Sequence, residues 1–204
     1  MAMILPVYGK DNKEIVNTYA RSLAEEMVGG ITEVPVQGEY FRAIIGPRGK
    51  VLLDLRDARL GEKINDFELS GYPVRIECGE RDLQSGKCVV ASRISGEKVV
   101  IERSELATTV DHMHIQGQEM LFEASSKRLK ENTVACETLE DVGRAIEDGK
   151  FALYEWDGDP QMEIDIKERF KATTRCIPFE GQFTDDLLKL KNTENVRVVI
   201  ARNF

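Results

Sequence analysis

The chain contains no run approaching the ~18 uninterrupted apolar residues of a membrane span, and its first residues carry neither a basic leader nor a small-residue cleavage site. A membrane or secreted protein is disfavoured on both counts, and a cytoplasmic one is expected. Cysteine is sparse: Cys78, Cys88, Cys136 and Cys176 lie far apart and form none of the close pairs used by structural zinc sites. They read as reduced, mostly buried thiols. The two histidines, His112 and His114, are two positions apart on an expected helix. Their rings therefore point in different directions, which suits the surface better than a shared metal. There is no phosphate-cradling glycine loop, no nucleophile elbow and no histidine near a serine or cysteine nucleophile. Internal repeats and low-complexity tracts are also missing. The net charge of −8 excludes a protein coated in phosphate contacts, because nonspecific nucleic-acid binding rests on lysine and arginine.

What is present is charge of both signs in the middle of the chain. Between Arg48 and Arg103 there are 11 basic and 10 acidic residues, so this third is the least acidic surface. The chain is long enough for one large domain or two small ones. Ile4 to Gly9 has strand character. Asp11 and Glu14 then stand at a capping-box spacing, and Ile15, Tyr19, Leu23 and Met27 recur every fourth residue until Gly29-Gly30. A second strand is expected near Ile31 to Val36, and YFRAIIGPRGKVLLDLRD reads as two strands around a Gly46-Pro47-Arg48-Gly49 turn. Leu60 to Leu69 reads as a short helix with Ile64, Phe67 and Leu60 inward, ended by Gly71. In PVRIEC, alternation puts Val74, Ile76 and Cys78 on one face and Arg75 and Glu77 on the other. KCVVASR and EKVVI pair as a hairpin across Ser95-Gly96. A long polar helix from about Glu105 to Glu131 looks like a connector. After it a second, smaller α/β pattern runs to the end, with helices at LEDVGRAIED, Pro160 to Lys171 and Asp185 to Lys191, and strands at KFALYEW, TTRCIPF and VRVVIAR.

Asp57, Asp66, Glu68, Glu77 and Asp82 supply carboxylates for general acid/base work, but nothing in the sequence shows the burial that would tune them. Base recognition has better chemistry. Guanine offers O6 and N7 acceptors to an arginine fork, and N–H donors on its Watson–Crick edge to a carboxylate. A helix carrying Glu68, a strand carrying Arg75 and a turn carrying Arg81-Asp82 can present both kinds of group on one face. Reading a Watson–Crick edge requires unpaired bases, hence single-stranded or loop RNA. From spacing alone, a salt-bridged surface is the favoured reading and base recognition the lesser one.

The segment RDARLGEKINDFELSGYPVRIECGERDLQSGKCVVASR resembles the anticodon-binding domain of class II aminoacyl-tRNA synthetases. KRLKENT, GKFALYEWDGDP and ATTRCIPFE resemble the C-terminal extension of prolyl-tRNA synthetases of the archaeal and eukaryotic-like type. The resemblance runs over nearly the whole chain. It implies an α/β fold: a mixed five-stranded sheet with flanking helices over 3–106, a connecting helix over 107–131, and a smaller C-terminal α/β domain over 132–204. It implies that Glu68, Arg75, Arg81 and Asp82 recognise the two guanines of proline anticodons, with Lys98 standing in for a family lysine in the hairpin turn. Ile64 occupies a helix position that often carries an aromatic, which reduces stacking on a base. The longer run YFRAIIGPRGKVLLDL is expected to be a surface insertion. Where many relatives have Trp-Cys-Gly, this chain has Trp156-Asp157-Gly158; Met162 replaces a further ligand cysteine, a later cysteine pair is missing, and Cys176 belongs to a strand motif. No structural zinc is therefore expected.

By the same resemblance the chain lacks the synthetase catalytic core, and Met1-Ala2 ahead of Met3 reads as an appended start on an excised fragment. The fragment would need no cofactor and be inactive alone. Its parent would use ATP and Mg to join proline to tRNA(Pro), holding the catalytic domain in cis and forming a homodimer largely through catalytic cores, which leaves the fragment a possible monomer. The expected partner is the tRNA(Pro) anticodon loop. The alternative is a free-standing paralogue acting as an accessory or regulatory RNA-binding protein.

Overall fold

The computed structural model describes residues 1–9, 11–30, 32–156, 159–178 and 196–202. Backbone contacts divide the chain into two compact units, Met1–Phe122 and Glu123–Phe204.

The first unit is organised around β1 (Ala2–Val7), whose apolar residues are buried on both faces, as a strand between two parallel neighbours requires. Ala2, read from the sequence as part of an appended start, is fully buried and pairs with both neighbouring strands. In α1 (Lys13–Val28) the buried stripe is Val16, Tyr19, Ala20, Leu23, Ala24 and Met27. Ile15 is 56% exposed. The apolar stripe of an α-helix mixes steps of three and four residues, so the strict every-fourth series from Ile15 starts off the core face. The expected Asp11–Glu14 capping box does not form: Asn12 is the N-cap, and its side chain accepts from Gly9 N at 2.8 Å.

Next come β2 (Thr32–Gln37), β3 (Phe41–Gly46) and β4 (Gly49–Asp54), joined by the expected turn, with Gly46 opposite Gly49. This run is not confined to the surface. Ala43, Ile44, Val51, Leu52 and Leu53 are buried, and β4 lies parallel beside β1. The tip of the hairpin is locked to the end of α1, where Arg48 N donates to Val28 O at 3.0 Å. A Cβ on Gly46 would lie 2.5 Å from Val28 O, and one on Gly30 would lie 2.6 Å from Gly46 Cα, so both positions require glycine. β2 is exposed along most of its length and carries Pro35, next to which the ladder with β3 shifts register.

The chain continues through α2 (Leu60–Ser70), β5 (Val74–Gly79), α3 (Glu80–Ser85), β6 (Lys87–Ser92), β7 (Lys98–Glu102) and α4 (Leu106–Glu131). Among the described residues the sheet has seven strands in the order β2-β3-β4-β1-β5-β6-β7, parallel at β4-β1-β5 and antiparallel elsewhere. It is the expected mixed sheet with flanking helices; β2 and β3 extend the five strands from β4 to β7. One face is closed by α1 and by Leu106, Val110 and Met113 of α4 over Ile4, Leu53, Ile76, Cys78 and Val90. The other face is covered by α2, whose Phe67 packs on Met3, Leu5, Ala43 and Leu52. There β7 stays open, with Val100 65% exposed.

The second unit holds β8 (Thr133–Ala135), α5 (Leu139–Glu147), β9 (Phe151–Trp156), α6 (Pro160–Phe170), β10 (Ala172–Cys176) and β11 (Val196–Arg202). Among the described residues its sheet order is β10-β11-β9-β8. Thr138 caps α5 in a box with Asp141, and Asp159 caps α6 ahead of Pro160. Val142, Ile146, Ala152, Ile166, Val198 and Ile200 form the core. Gly143 sits against Phe170, whose ring would lie 2.5 Å from an added Cβ. The helix expected over 185–191, Asp157-Gly158 and Phe204 lie outside the described residues.

Candidate nucleic-acid interface

Strand alternation and register together build the site. In β5, Arg75 and Glu77 point away from the core that holds Val74, Ile76 and Cys78. Arg75 pairs with Ala91 of β6, and Ala91 with Lys98 of β7; one step along, Glu77 pairs with Val89 and Val89 with Val100. Two cross-strand rows thus lie side by side on the open face, one charged at both ends with Ala91 between, the other running from Glu77 across Val89 to Val100. α2 borders this platform and supplies Glu68.

The charged groups form a chain. Arg75 Nη1 reaches Glu68 Oε1 at 3.3 Å and Arg75 Nε reaches Glu77 Oε1 at 3.0 Å, while Lys98 Nζ lies 2.9 Å from Glu77 Oε2. The inner members are nearly buried, with side-chain exposures of 13% for Arg75 and 8% for Glu77; the outer ones, Glu68 and Lys98, are about half exposed at 46% and 50%. Arg75 also lies over the Phe67 ring, 5.5 Å from its centroid. Its guanidinium is held at Nε and Nη1, and Nη2 makes no hydrogen bond among the described residues. Glu68 Oε2 has no partner among the described residues. A rigid donor fork beside a half-exposed carboxylate is the pairing that guanine's acceptor and donor edges require.

Of the residues singled out from sequence, the structure therefore brings Glu68, Arg75 and Lys98 together. Glu77, read there only as a carboxylate on the same face as Arg75, is the acceptor that joins Arg75 to Lys98. Arg81 and Asp82 stand at the other end of β5, on α3, a short helix in place of the expected turn. Asp82 Oδ2 accepts from Gly79 N at 2.7 Å and caps α3. Arg81 is exposed and has no ion pair or hydrogen bond among the described residues. A cavity of about 520 Å³ links this end to the platform, with Val7, Tyr8, Gly79, Arg81, Glu77 and Val89 among its walls. Ile64 packs partly buried against the α2-covered core, presenting no flat surface to a base.

The carboxylates considered for acid/base work are all engaged: Asp57 lies 3.5 Å from Lys13, and Asp66 2.7 Å from Arg56. His112 and His114 are exposed on α4. Burial raises the pKa of the Cys78 and Cys88 thiols, the latter to about 11, and raises that of Cys136. Cys176 is exposed. The described residues do not fit a four-ligand zinc site. Met162 packs against the second core, Cys136 Sγ bonds to Val134 O, and no cluster of three or more His, Cys, Asp or Glu is placed to hold a metal among the described residues. No helix among them is long and apolar enough to cross a membrane.

Residues 2–113 match the family model of the anticodon binding domain, the class this sheet and its charged face define. Residues 139–203 match that of "Prolyl-tRNA synthetase, C-terminal", and with both matches in order the chain belongs to the prolyl-tRNA synthetase family. It is similar to the proline–tRNA ligase of Pyrococcus abyssi, 32% identical over 179 residues, which covers 87% of this chain and 34% of the relative. It is similar to that of Rubrobacter xylanophilus, 34% identical over 189 residues, 92% of this chain and 36% of the relative. With that of Chloroherpeton thalassium the identity is 40% over 124 residues, 60% of this chain and 26% of the relative. The matched region spans about a quarter to a third of the length of these relatives.

Proposed function

We propose that the open face of the first unit reads the anticodon loop of tRNA(Pro), as the recognition part of a prolyl-tRNA synthetase whose proline- and ATP-dependent ligation is carried out, with Mg, by a catalytic domain outside this chain. The observation that carries this reading is the Glu68–Arg75 pair at 3.3 Å on a sheet face bordered by exposed Val100. The arginine fork supplies donors for O6 and N7 of a guanine, and the carboxylate accepts from N1–H and the 2-amino group. Lys98 and the unpaired Arg81 add positive charge at opposite ends, where the phosphates flanking a splayed base would pass. Arg81-Asp82 is suited to the second guanine, with Asp82 Oδ1 outside the capping bond.

Titrating the protein with tRNA(Pro) anticodon stem-loops, native and with each guanine replaced by inosine or adenine, tests the proposal. Arg75→Ala and Glu68→Ala are each expected to weaken native binding by about 1–3 kcal/mol and to flatten the preference for guanine. Equal losses for every loop sequence would show that these residues touch only backbone. Because the chain is acidic overall and few cations border the platform, binding is expected to weaken only shallowly as salt rises. Proline-dependent ATP–pyrophosphate exchange by this chain alone would overturn the placement of the chemistry elsewhere.

A further inference from the structure

A second polar cluster, which the RNA-reading chain of charges does not use, lies where β1 and β4 end. Its centre is Lys63, in the first half of α2 and fully buried. The ammonium donates to Pro6 O at 3.1 Å and to Asp54 O at 3.0 Å, and stands 4.7 Å from the centre of the Tyr8 ring. Pro6 has no N–H to offer the neighbouring strand, and the ammonium acts as a donor there. Asp54, also fully buried, takes Arg56 Nε at 2.9 Å and Nη2 at 2.7 Å. Arg56 in turn reaches Asp66 of α2 at 2.7 Å.

A buried lysine is costly to desolvate, and methionine would fill the same space in an apolar contact. The ammonium adds direction. Apolar packing of Phe67 alone leaves a helix free to slide or roll by small amounts, whereas two bonds to strand-end carbonyls and an ion pair at Asp66 fix it along the sheet and about its axis. Glu68 follows Phe67 directly, and Arg75 lies over the Phe67 ring. We propose that Lys63, together with Asp66 on Arg56, is a positioning device that seats α2 on the ends of β1 and β4 and so sets the Glu68 carboxylate against the Arg75 guanidinium. The consequence for RNA rests on the anticodon reading above; the seating of α2 does not.

Two arms separate these. In native-state amide hydrogen exchange without RNA, Lys63→Met is expected to speed exchange of α2 amides about tenfold or more relative to α1 and β5, a local opening. In stem-loop binding, the guanine-over-inosine preference is expected to fall severalfold toward that of Glu68→Ala, and Lys63→Met is expected to change it no further in the Glu68→Ala background. Exchange that rises equally in every element, or stays unchanged in α2, overturns the proposal, as do additive effects on the preference. A wild-type protein without guanine preference would refute the anticodon reading, while the exchange arm would still decide the seating. Should Lys63→Met fail to fold, Asp66→Asn, at a site 39% exposed, gives the same two readouts from the other anchor.

Discussion

At the scale of single residues, Glu77 holds the charged face together, since one nearly buried carboxylate takes both Arg75 and Lys98. Glu77→Gln keeps the shape but leaves Lys98 without its counter-charge and Arg75 with Glu68 alone. It should cost about 1–3 kcal/mol in urea unfolding and loosen guanine selectivity; an unchanged midpoint would mean that Phe67 and Glu68 suffice to hold Arg75. The candidate site was half legible in the sequence for a physical reason. Alternation along PVRIEC puts Arg75 and Glu77 on one face, but the arrival of Lys98 beside Glu77 depends on the register of three strands, which no local pattern carries. Lys63 escaped notice because a lysine in a helix is ordinarily read as solvated. Two tyrosines make a further test. Burial, foremost, raises the phenols of Tyr8 and Tyr19 to about 12, aided by carboxylates in both cases and by neighbouring thiols at Tyr19. In the unfolded chain they ionise near 10. Stability held below pH 10 is therefore expected to be lost as pH climbs from about 10 toward 12. Spectrophotometric titration of the native protein should show two phenols still neutral at pH 11.

At the scale of elements, Gly143 is the informative case. Glycine inside a helix costs roughly 0.5–1 kcal/mol against alanine. Here it lets α5 approach Phe170 at the end of α6. Gly143→Ala should accordingly destabilise the second unit by about 1–3 kcal/mol in thermal unfolding, despite the better helix former; a gain in stability would show that the ring swings aside freely. The cap of the same helix predicts a pH response. The Thr138 hydroxyl, then its backbone N–H and Arg144, hold the Asp141 carboxyl below the usual aspartate range. A depressed carboxyl stabilises the fold above its unfolded pKa and ceases to as pH falls through the folded value. In Thr138→Ala, NMR titration should find Asp141 moved up toward an ordinary aspartate. Legibility varied with length. Helices α2, α5 and α6 follow from apolar spacing and one local signal each, Gly71 closing α2, Thr138 capping α5 and Asp159-Pro160 opening α6, whereas β8 spans three residues and α3 six, too short for periodicity to register. The β3–β4 hairpin was visible as a hairpin; that β4 lies beside β1 is a long-range pairing that leaves no mark within the run itself.

At the scale of the whole molecule, each unit carries a core of its own, and the long sheet of the first unit ends in strands treated differently. β7 ends the sheet beside the charged platform, with Lys98 and Glu102 exposed among its valines. β2 ends it on the far side, where Glu33 ties Arg21 at 2.9 Å and Arg42 at 3.5 Å. The Pro35 interruption bears on behaviour at high concentration. An uninterrupted edge would offer its free N–H and C=O groups to the edge of another copy, the first step toward sheet-to-sheet clumping; a proline with a register shift beside it breaks that template. Pro35→Val should therefore raise concentration-dependent association in sedimentation velocity while leaving guanine discrimination untouched. The same residue that makes the sheet irregular at its margin withholds a regular pairing template from the edge of a second copy.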